Sequence, residues 1–342
     1  MEQALLDAFP LPALLIGRDE RVTAANAPAL SMFGAGAVGR HHITVLRQPA
    51  LLDAIEAAFR TSERRTARVL TTEARRDMTW QATISPVLPD VGLLLVLEDQ
   101  TDMEEAGQMR RDFVANVSHE LKTPLTAMLG FIETLLGAAR HDPEAQARFL
   151  RIMEAEASRM NRLVSDLISL NRVESQERIR PEEQIDLAGV ARSVVKSLAN
   201  LAEHSDVTVT CEGMDTPVHV PGDPDQLQQV VTNLVENAIK YSGAGSHVAL
   251  RLTREDRNPM VLRAAAVLTI EDSGEGFDPV HIPRLTERFY RIDSHRSREK
   301  GGTGLGLAIV KHIINRHRGR LRSESEIGKG SRFSVILPTE AA

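Results

Sequence analysis

Two stretches of apolar residues at helical spacing, separated by a short break, constrain this chain more than any other feature. In the first, Val114, Val117, Leu121, Leu125, Met128, Ile132 and Leu135 recur three and four residues apart, the period of one helix face. Gly137 to Pro143 interrupts the pattern, and Phe149, Met153, Ala157, Met160, Val164 and Leu167 resume it. The spacing predicts a hairpin of two long helices with an apolar stripe on each arm. Two helices alone cannot enclose such stripes. A second copy completing a four-helix bundle, and hence a homodimer, is the expected solution.

The flanks differ from the hairpin and from each other. Residues 1–98 alternate strand-like runs with turn residues: Leu11–Ile16, Arg21–Asn26, Thr66–Thr72, Met78–Ile84 and Leu93–Leu97. Helical segments near Ala27–Phe33 and Pro49–Arg60 lie between them. Glu98-Asp99-Gln100-Thr101 then opens the first long helix, with Thr101 or Asp102 as its expected cap. Arg178 to Gln184 reads as a polar linker, and from Ile185 helical and strand patterns alternate to the end. The expected organisation is a multidomain α+β chain with three domains, 1–98, 99–177 and 185–340, which 342 residues can supply with separate cores.

Charge and cysteine usage narrow the function classes. A net charge of −6 argues against a nucleic-acid footprint, so no direct nucleic-acid partner is expected. Cys211 is the single cysteine, which rules out an internal disulfide and fits a reducing compartment. It sits in the alternating run Val207–Glu212, where strand packing is its expected role. No apolar run reaches the roughly 18 residues that span a bilayer. Glu2 and Asp7 break up the N-terminal segment, so a cytoplasmic location is expected.

One histidine has a distinctive setting. His119 lies two residues from both Val117 and Leu121, which at about 100° per residue turns it away from the apolar stripe. Imidazole has an ordinary pKa of about 6.5, so its neutral, nucleophilic form is abundant near pH 7. Glu120 is placed to orient the ring or accept its proton. Pro124 deletes the backbone bond to the Glu120 carbonyl and weakens the helix there. Thr123 is one turn on from His119, on the same face, where its hydroxyl could hold a water.

The C-terminal third contains the elements of a nucleotide pocket. Asn233 and Asn237 stand four apart on one face of a helix expected over Gln226–Tyr241, with Lys240 and Tyr241 one turn further on. Asp272 follows the strand-like run Val267–Glu271 and precedes Gly274 and Gly276, glycines that allow close backbone approach. Gly301-Gly302-Thr303-Gly304-Leu305-Gly306 leads into the apolar helix Leu307–Ile314, the arrangement that offers free amides and a favourable dipole to phosphate. No Gly-Lys-Ser/Thr follows, so this is not a Walker loop. Arg284, Arg288, Arg291, Arg296, Arg298 and Lys300 lie between, with Phe289-Tyr290 among them.

Taken in order, these segments resemble the transmitter core of the two-component sensor histidine kinases, and the resemblance covers residues 99–338. Ser118-His119-Glu120-Leu121-Lys122-Thr123-Pro124-Leu125 closely matches the family's H-box, which implies that His119 is the phosphorylated residue. Asn233 to Tyr241 resembles the N-box, implying Mg²⁺ on Asn237 and a triphosphate pocket lined by Asn233. The oxygen ligand suits that ion. In related chaperones and gyrases the position matching Asn233 is a glutamate that activates water. An amide there implies transfer to His119 over hydrolysis.

Asp272 would accept the adenine amino group. Gly302, Thr303, Gly304, Leu305 and Gly306 would form the phosphate loop, the arginine-rich stretch the F-box and mobile lid, and Gly328–Ser331 the final glycine box. The resemblance therefore implies an α/β-sandwich ATP domain of the GHKL (Bergerat) type with ATP and Mg²⁺ as cofactors. It also implies autophosphorylation of His119, phosphotransfer to the receiver domain of a response regulator, and phosphatase activity on that regulator in which Thr123 takes part. A membrane-associated signalling complex is a further partner implied.

Residues 1–98 resemble a PAS sensor domain in order and length, including Asn26 at the end of the second strand. Arg111 to Leu125 is most similar to the phosphate-regulon sensor kinases, which implies a role in phosphate-starvation signalling. The competing readings are an ATP-dependent conformational protein of the same nucleotide fold and a scaffold without phosphotransfer. Arg318 is a departure, standing where relatives often carry glycine.

Overall fold

The computed structural model describes residues 2–73, 76–87, 91–177, 179–292 and 302–339. It divides into two units, Met1–Ala115 and Asn116–Ala342, with the boundary inside one long helix.

The first unit begins with α1 (Glu2–Leu6), β1 (Ala13–Ile16), β2 (Val22–Ala25), α2 (Ala27–Phe33), α3 (His42–Val45) and α4 (Pro49–Thr61). It continues through β3 (Arg65–Glu73), β4 (Arg76–Pro86) and β5 (Leu93–Asp99). The strands form an antiparallel sheet of order β2-β1-β5-β4-β3. Alternation along β1 explains why all four of its residues are buried. Leu14 and Ile16 enter the main core with Leu51, Ile55, Ile84, Leu95 and Leu97. Ala13 and Leu15 enter a smaller cluster with Leu6 and Ala24 on the other face. Each fully buried leucine or isoleucine contributes about 1.5–3 kcal/mol.

Asn26 ties these parts together. It is fully buried, and its Oδ1 accepts from Ala13 N (3.0 Å) and from Ala29 N (3.1 Å), capping α2. Its amide donates to the carbonyls of Leu6, Phe9 and Leu11. The strands and both main helices lie where the sequence pattern puts them, while α1 and α3 are additions too short to show a period.

Helix α5 (Thr101–Leu136) crosses into the second unit. Its expected cap is corrected by the structure. Thr101 is already helical, and Asp99 Oδ1 accepts from both Thr101 N (2.9 Å) and Thr101 Oγ1 (2.5 Å), holding the Asp99 carboxyl below its ordinary range. Thr101 Oγ1 itself accepts from Thr79 N on β4 (3.0 Å), so it is committed to the sheet. Helix α5 also runs through Pro124 without ending there. Helix α6 (Pro143–Gln176) follows, with Asp142 Oδ1 accepting from Glu144 N and Ala145 N. Phe131 and Phe149 stack across the hairpin at 5.3 Å. The predicted stripes are only partly covered: Val117, Leu121, Met128, Met153 and Met160 are half-buried, while Leu125, Ile132 and Val164, with Leu129, Leu150 and Ile168 beside them, are exposed.

The remainder comprises β6 (Gln184–Asp186), α7 (Leu187–Ser197), α8 (Ala199–His204), β7 (Val207–Glu212), β8 (His219–Pro221), α9 (Pro224–Ser242), β9 (Ser246–Asn258) and β10 (Arg263–Asp272). A 3₁₀ turn (Pro279–Arg284), α10 (Gly306–Arg316), β11 (Arg320–Glu326) and β12 (Gly330–Pro338) complete it. The main sheet has the order β11-β12-β10-β9-β7, antiparallel except for the parallel pair β7–β9, and β6 pairs with β8. Cys211 is exposed on the edge strand β7, and partial burial raises its thiol pKa.

Helices α7 and α10 pack on α9, which packs on β10, giving an α/β sandwich. Leu227, Val230, Val231, Leu234, Val235 and Ala238 form the buried face of α9. Asn233, Asn237 and Lys240 fall on the other face. Arg318 has φ +56°, in the left-handed region that follows a helix end. The position suits glycine, which explains the departure noted above and means that the arginine adopts it under strain.

Candidate nucleotide and phosphoacceptor site

The polar face of α9 lines a cavity of about 440 Å³, within the roughly 300–1,000 Å³ of small-molecule sites. Asn233, Asn237, Lys240, Tyr241, Asp272 and Gly276 line it together with Gly302, Thr303, Gly304 and Gly306. Residues read from three separate segments thus meet around one space. Leu305 does not join them, because its side chain is fully buried in the core and it offers the loop only backbone. Gly274 is also absent from the lining. Arg296, Arg298, Lys300 and Gly301 lie outside the described residues.

Three polar groups of the cavity, Asp272, Asn233 and Lys240, are held by neighbours. Asp272 is 6% exposed at the end of β10; its Oδ1 accepts from Gly274 N (3.0 Å) and Ser331 N (3.3 Å), and its Oδ2 accepts from Ser331 Oγ. A carboxylate has about four acceptor positions, so capacity remains for a ligand donor. Asn233 Nδ2 donates to Gly306 O (3.3 Å), joining α9 to the glycine loop. Lys240 Nζ lies 2.6 Å from Glu236 Oε2. Asn237 presents a carboxamide oxygen of the kind that suits Mg²⁺, which keeps several waters and uses few protein ligands.

The reason for the glycines differs from the sequence expectation. A Cβ on Gly274 would stand 2.7 Å from Tyr241 O, and one on Gly276 only 2.2 Å from Glu326 O. Both are required by the protein's own backbone packing; approach of a ligand is not what demands them. Gly276 also has φ +61°.

Helix α5, which carries His119, approaches the same region from within the second unit, where Glu120 meets Arg291. His119 is exposed, and its carbonyl accepts from Thr123 Oγ1 at 3.1 Å. The Thr123 proton is therefore directed back to the helix, with the hydroxyl lone pairs left for other donors. Glu120 does not orient the His119 ring. Its Oε2 accepts from Arg159 Nη2 (2.7 Å) and Arg291 Nη2 (3.2 Å), and the three side chains are 16%, 12% and 7% exposed. Two guanidinium groups one helix away or further out-compete a single neighbouring imidazole for that carboxylate.

Sequence reasoning missed the contribution of α6. Arg162, Ser165 and Asp166 line the cavity, and Thr303 Oγ1 donates to Asp166 Oδ2 at 2.7 Å. Burial is the main cause that raises the Asp166 carboxyl above its ordinary range, with the Thr303 bond opposing it. Arg288 Nη2 donates to Glu174 Oε1 (2.5 Å), and Glu177 meets His312 and Asn315 on α10. Nothing local marks these residues. Their partners lie more than a hundred positions away, and only the fold brings them together.

Two family profiles match the chain. One, described as Histidine kinase-, DNA gyrase B-, and HSP90-like ATPase, matches residues 222–341. The other, described as His Kinase A (phospho-acceptor) domain, matches residues 109–176. The phosphate regulon sensor protein PhoR of Pseudomonas aeruginosa is 38% identical over 250 residues, covering 73% of this chain and 55% of that protein. The sensor protein kinase WalK of Staphylococcus saprophyticus is 32% identical over 335 residues, covering 94% of this chain and 52% of that one. The chain thus spans about half the length of these curated relatives. Among solved structures, the histidine kinase ThkA in complex with the response regulator protein TrrA is similar in fold. Its TM-score is 0.54 and its identity 20%, over 99% of this chain and 98% of that one.

Proposed function

The chain belongs to the two-component sensor histidine kinases, and from that premise we propose that it phosphorylates His119 from ATP and passes the group to an aspartate of a response regulator. The observation that carries the proposal is the exposed His119 on a helix whose partner, α6, lines a cavity with Asn233, Asn237 and Asp272. A neutral ring nitrogen of His119 attacks the γ-phosphorus, the bond to the ADP oxygen breaks, and the second ring nitrogen loses its proton. Glu120 is the base of this reading, and it becomes available when Arg291 exchanges it for the nucleotide phosphates. Asn237 would hold Mg²⁺, which supplies charge neutralisation for the departing ADP. Asn233 carries no basic oxygen and cannot activate water, which favours transfer over hydrolysis.

We assign residues 1–98 to a PAS-type sensor domain, supported by the five-stranded antiparallel order and by Asn26 at the end of β2. Residues 99–177 form the dimerisation and phosphotransfer hairpin, and 185–340 the ATP domain of GHKL type. The exposed apolar residues of the hairpin, Leu125, Leu129, Ile132, Leu150, Val164 and Ile168, support a homodimer through a four-helix bundle. Similarity to PhoR supports a role in phosphate-starvation signalling. We further assign phosphatase activity on the regulator to Thr123, and a cytoplasmic location to these domains, in keeping with the use of ATP. A membrane-associated complex remains part of this reading, and no helix among the described residues is long and apolar enough to cross a membrane.

Incubation with γ-labelled ATP and then with purified response regulators tests the assignment. Acid-labile, alkali-stable label on the chain that moves to one regulator supports it. ATP binding without any such label would replace it with the conformational or scaffold reading.

A further inference from the structure

We propose that Glu20, His41 and His42 form a binding site for a zinc-class divalent cation in the first unit. The three side chains each bring one ligand atom to within 4.8 Å of the others. His41 Nε2 lies 3.1 Å from Glu20 Oε2. Zinc bonds to nitrogen and carboxylate oxygen of about 2.0–2.2 Å set neighbouring tetrahedral ligands roughly 3.3 Å apart. That pair therefore already stands close to the spacing of one edge of a zinc tetrahedron, and the His42 ligand atom lies within 4.8 Å of both.

The frame around the cluster is fixed by backbone. Glu20 is held at φ +62° in the turn between β1 and β2. Its carbonyl accepts from His42 N at 2.9 Å, and Val22 N donates to Arg40 O at 2.9 Å. Gly39 N donates to Val22 O at 2.7 Å, and Arg21 pairs with His41 in an isolated bridge. The turn and the segment preceding α3 are thus locked in register before any ion arrives.

The second nitrogen of each ring completes the chemistry. His42, 5% exposed, directs Nδ1 to Glu20 O at 2.9 Å. A carbonyl partner fixes the proton on Nδ1 and leaves the lone pair on Nε2, the arrangement common behind metal-bound histidines. His41 Nδ1 accepts from Ile43 N at a long 3.4 Å, so its Nε2 proton faces Glu20. On binding, the cation takes the place of that proton, and the ring carries its proton on Nδ1 at the loss of this weak bond. Two imidazoles with one carboxylate select zinc, cobalt, nickel or copper over the hard ions magnesium and calcium. Glu20 and the His41 ring are open to solvent, which leaves room for water as the fourth ligand.

The probe is Co²⁺ alone, added to the nucleotide-free full chain in excess Mg²⁺, with visible absorption as readout. One equivalent should give the bands of tetrahedral cobalt without thiolate charge transfer, because Cys211 takes no part, and Zn²⁺ should displace it. Glu20→Gln and His41→Gln alter exposed side chains and leave buried His42 in place, so folding is expected to survive and circular dichroism checks it. Each should weaken cobalt binding about 100-fold or more, since even supporting groups of metal sites contribute 10- to 100-fold. His141→Gln, an exposed histidine elsewhere, should change nothing. Absence of tetrahedral bands, or full binding by both folded variants, would reduce the cluster to a surface ion pair and overturn the proposal.

Discussion

The candidate nucleotide cavity and the helix that carries His119 are prepared in opposite ways. In the cavity, Asp272 is held by Gly274 and Ser331, Asn233 by Gly306, and Lys240 by Glu236. On the helix, the His119 ring is exposed, and the carboxylate beside it is bound by Arg159 and Arg291. The cavity groups sit in fixed positions, while the carboxylate next to His119 is taken by two arginines. Preorganisation serves recognition of a ligand that is always the same. On the reading proposed above, a nucleophile that meets both a nucleotide and a second protein gains from staying accessible, and the pairing of Glu120 with Arg291 would withhold its base until a nucleotide draws Arg291 away.

The largest effect that could break this contrast is at Glu120. Glu120→Gln keeps the shape and removes the proposed base, so autophosphorylation should fall about 10²–10⁴-fold, with ATP binding no weaker than the parent's because the substitution loosens the hold on Arg291. Rate measured under saturating ATP checks it; a rate within a few-fold of the parent would mean that the ion pair has only a structural role. Next is the cavity itself. Asp272→Asn removes a charged acceptor worth about 1.5–3 kcal/mol, so adenine nucleotide should bind roughly 10- to 100-fold more weakly by calorimetry. Equal affinity would show that Asp272 supports Ser331 and the β12 edge only.

Stability away from the reacting pair sharpens the same comparison. His317 is 1% exposed, its Nε2 accepts from Asp223 N (3.0 Å), and burial chiefly lowers its pKa. A base with a depressed folded pKa contributes stability that is present above its unfolded value, about 6.5, and lost as pH falls below it toward the folded one. Asp223 begins α9, so acid should loosen the cavity wall. Thermal unfolding of the parent should fall more steeply from pH 7 to pH 5 than that of His317→Gln, which can make both bonds without charging. Equal slopes would place the acid-sensitive group elsewhere. The smallest effect is Arg318→Gly, which relieves the left-handed strain and should stabilise by about 0.5–1 kcal/mol, seen as a higher denaturant midpoint.

How far the sequence could be read follows the range of the interactions involved. The polar face of α9 was visible because Asn233, Asn237 and Lys240 share a helix with a regular apolar face. The strands of the first unit were visible because their alternation matches the pleat. The capping role of Asp99 was hidden because Thr101 is claimed by β4, a tertiary contact. Arg162 and Asp166 were hidden because they look like ordinary polar positions of a surface helix until the glycine loop is folded against them. The demand for Gly274 was visible as a glycine and misread as to cause, since the obstructing carbonyl of Tyr241 comes from α9.

A comparison of His119→Gln with the parent chain is the plainest test that one region binds and the other reacts. Both should bind Mg²⁺-ATP with the same affinity, because His119 lies outside the cavity lining. Only the parent should acquire acid-labile, alkali-stable phosphate. Label of that kind on the variant, at a level near the parent's, would contradict the assignment of His119.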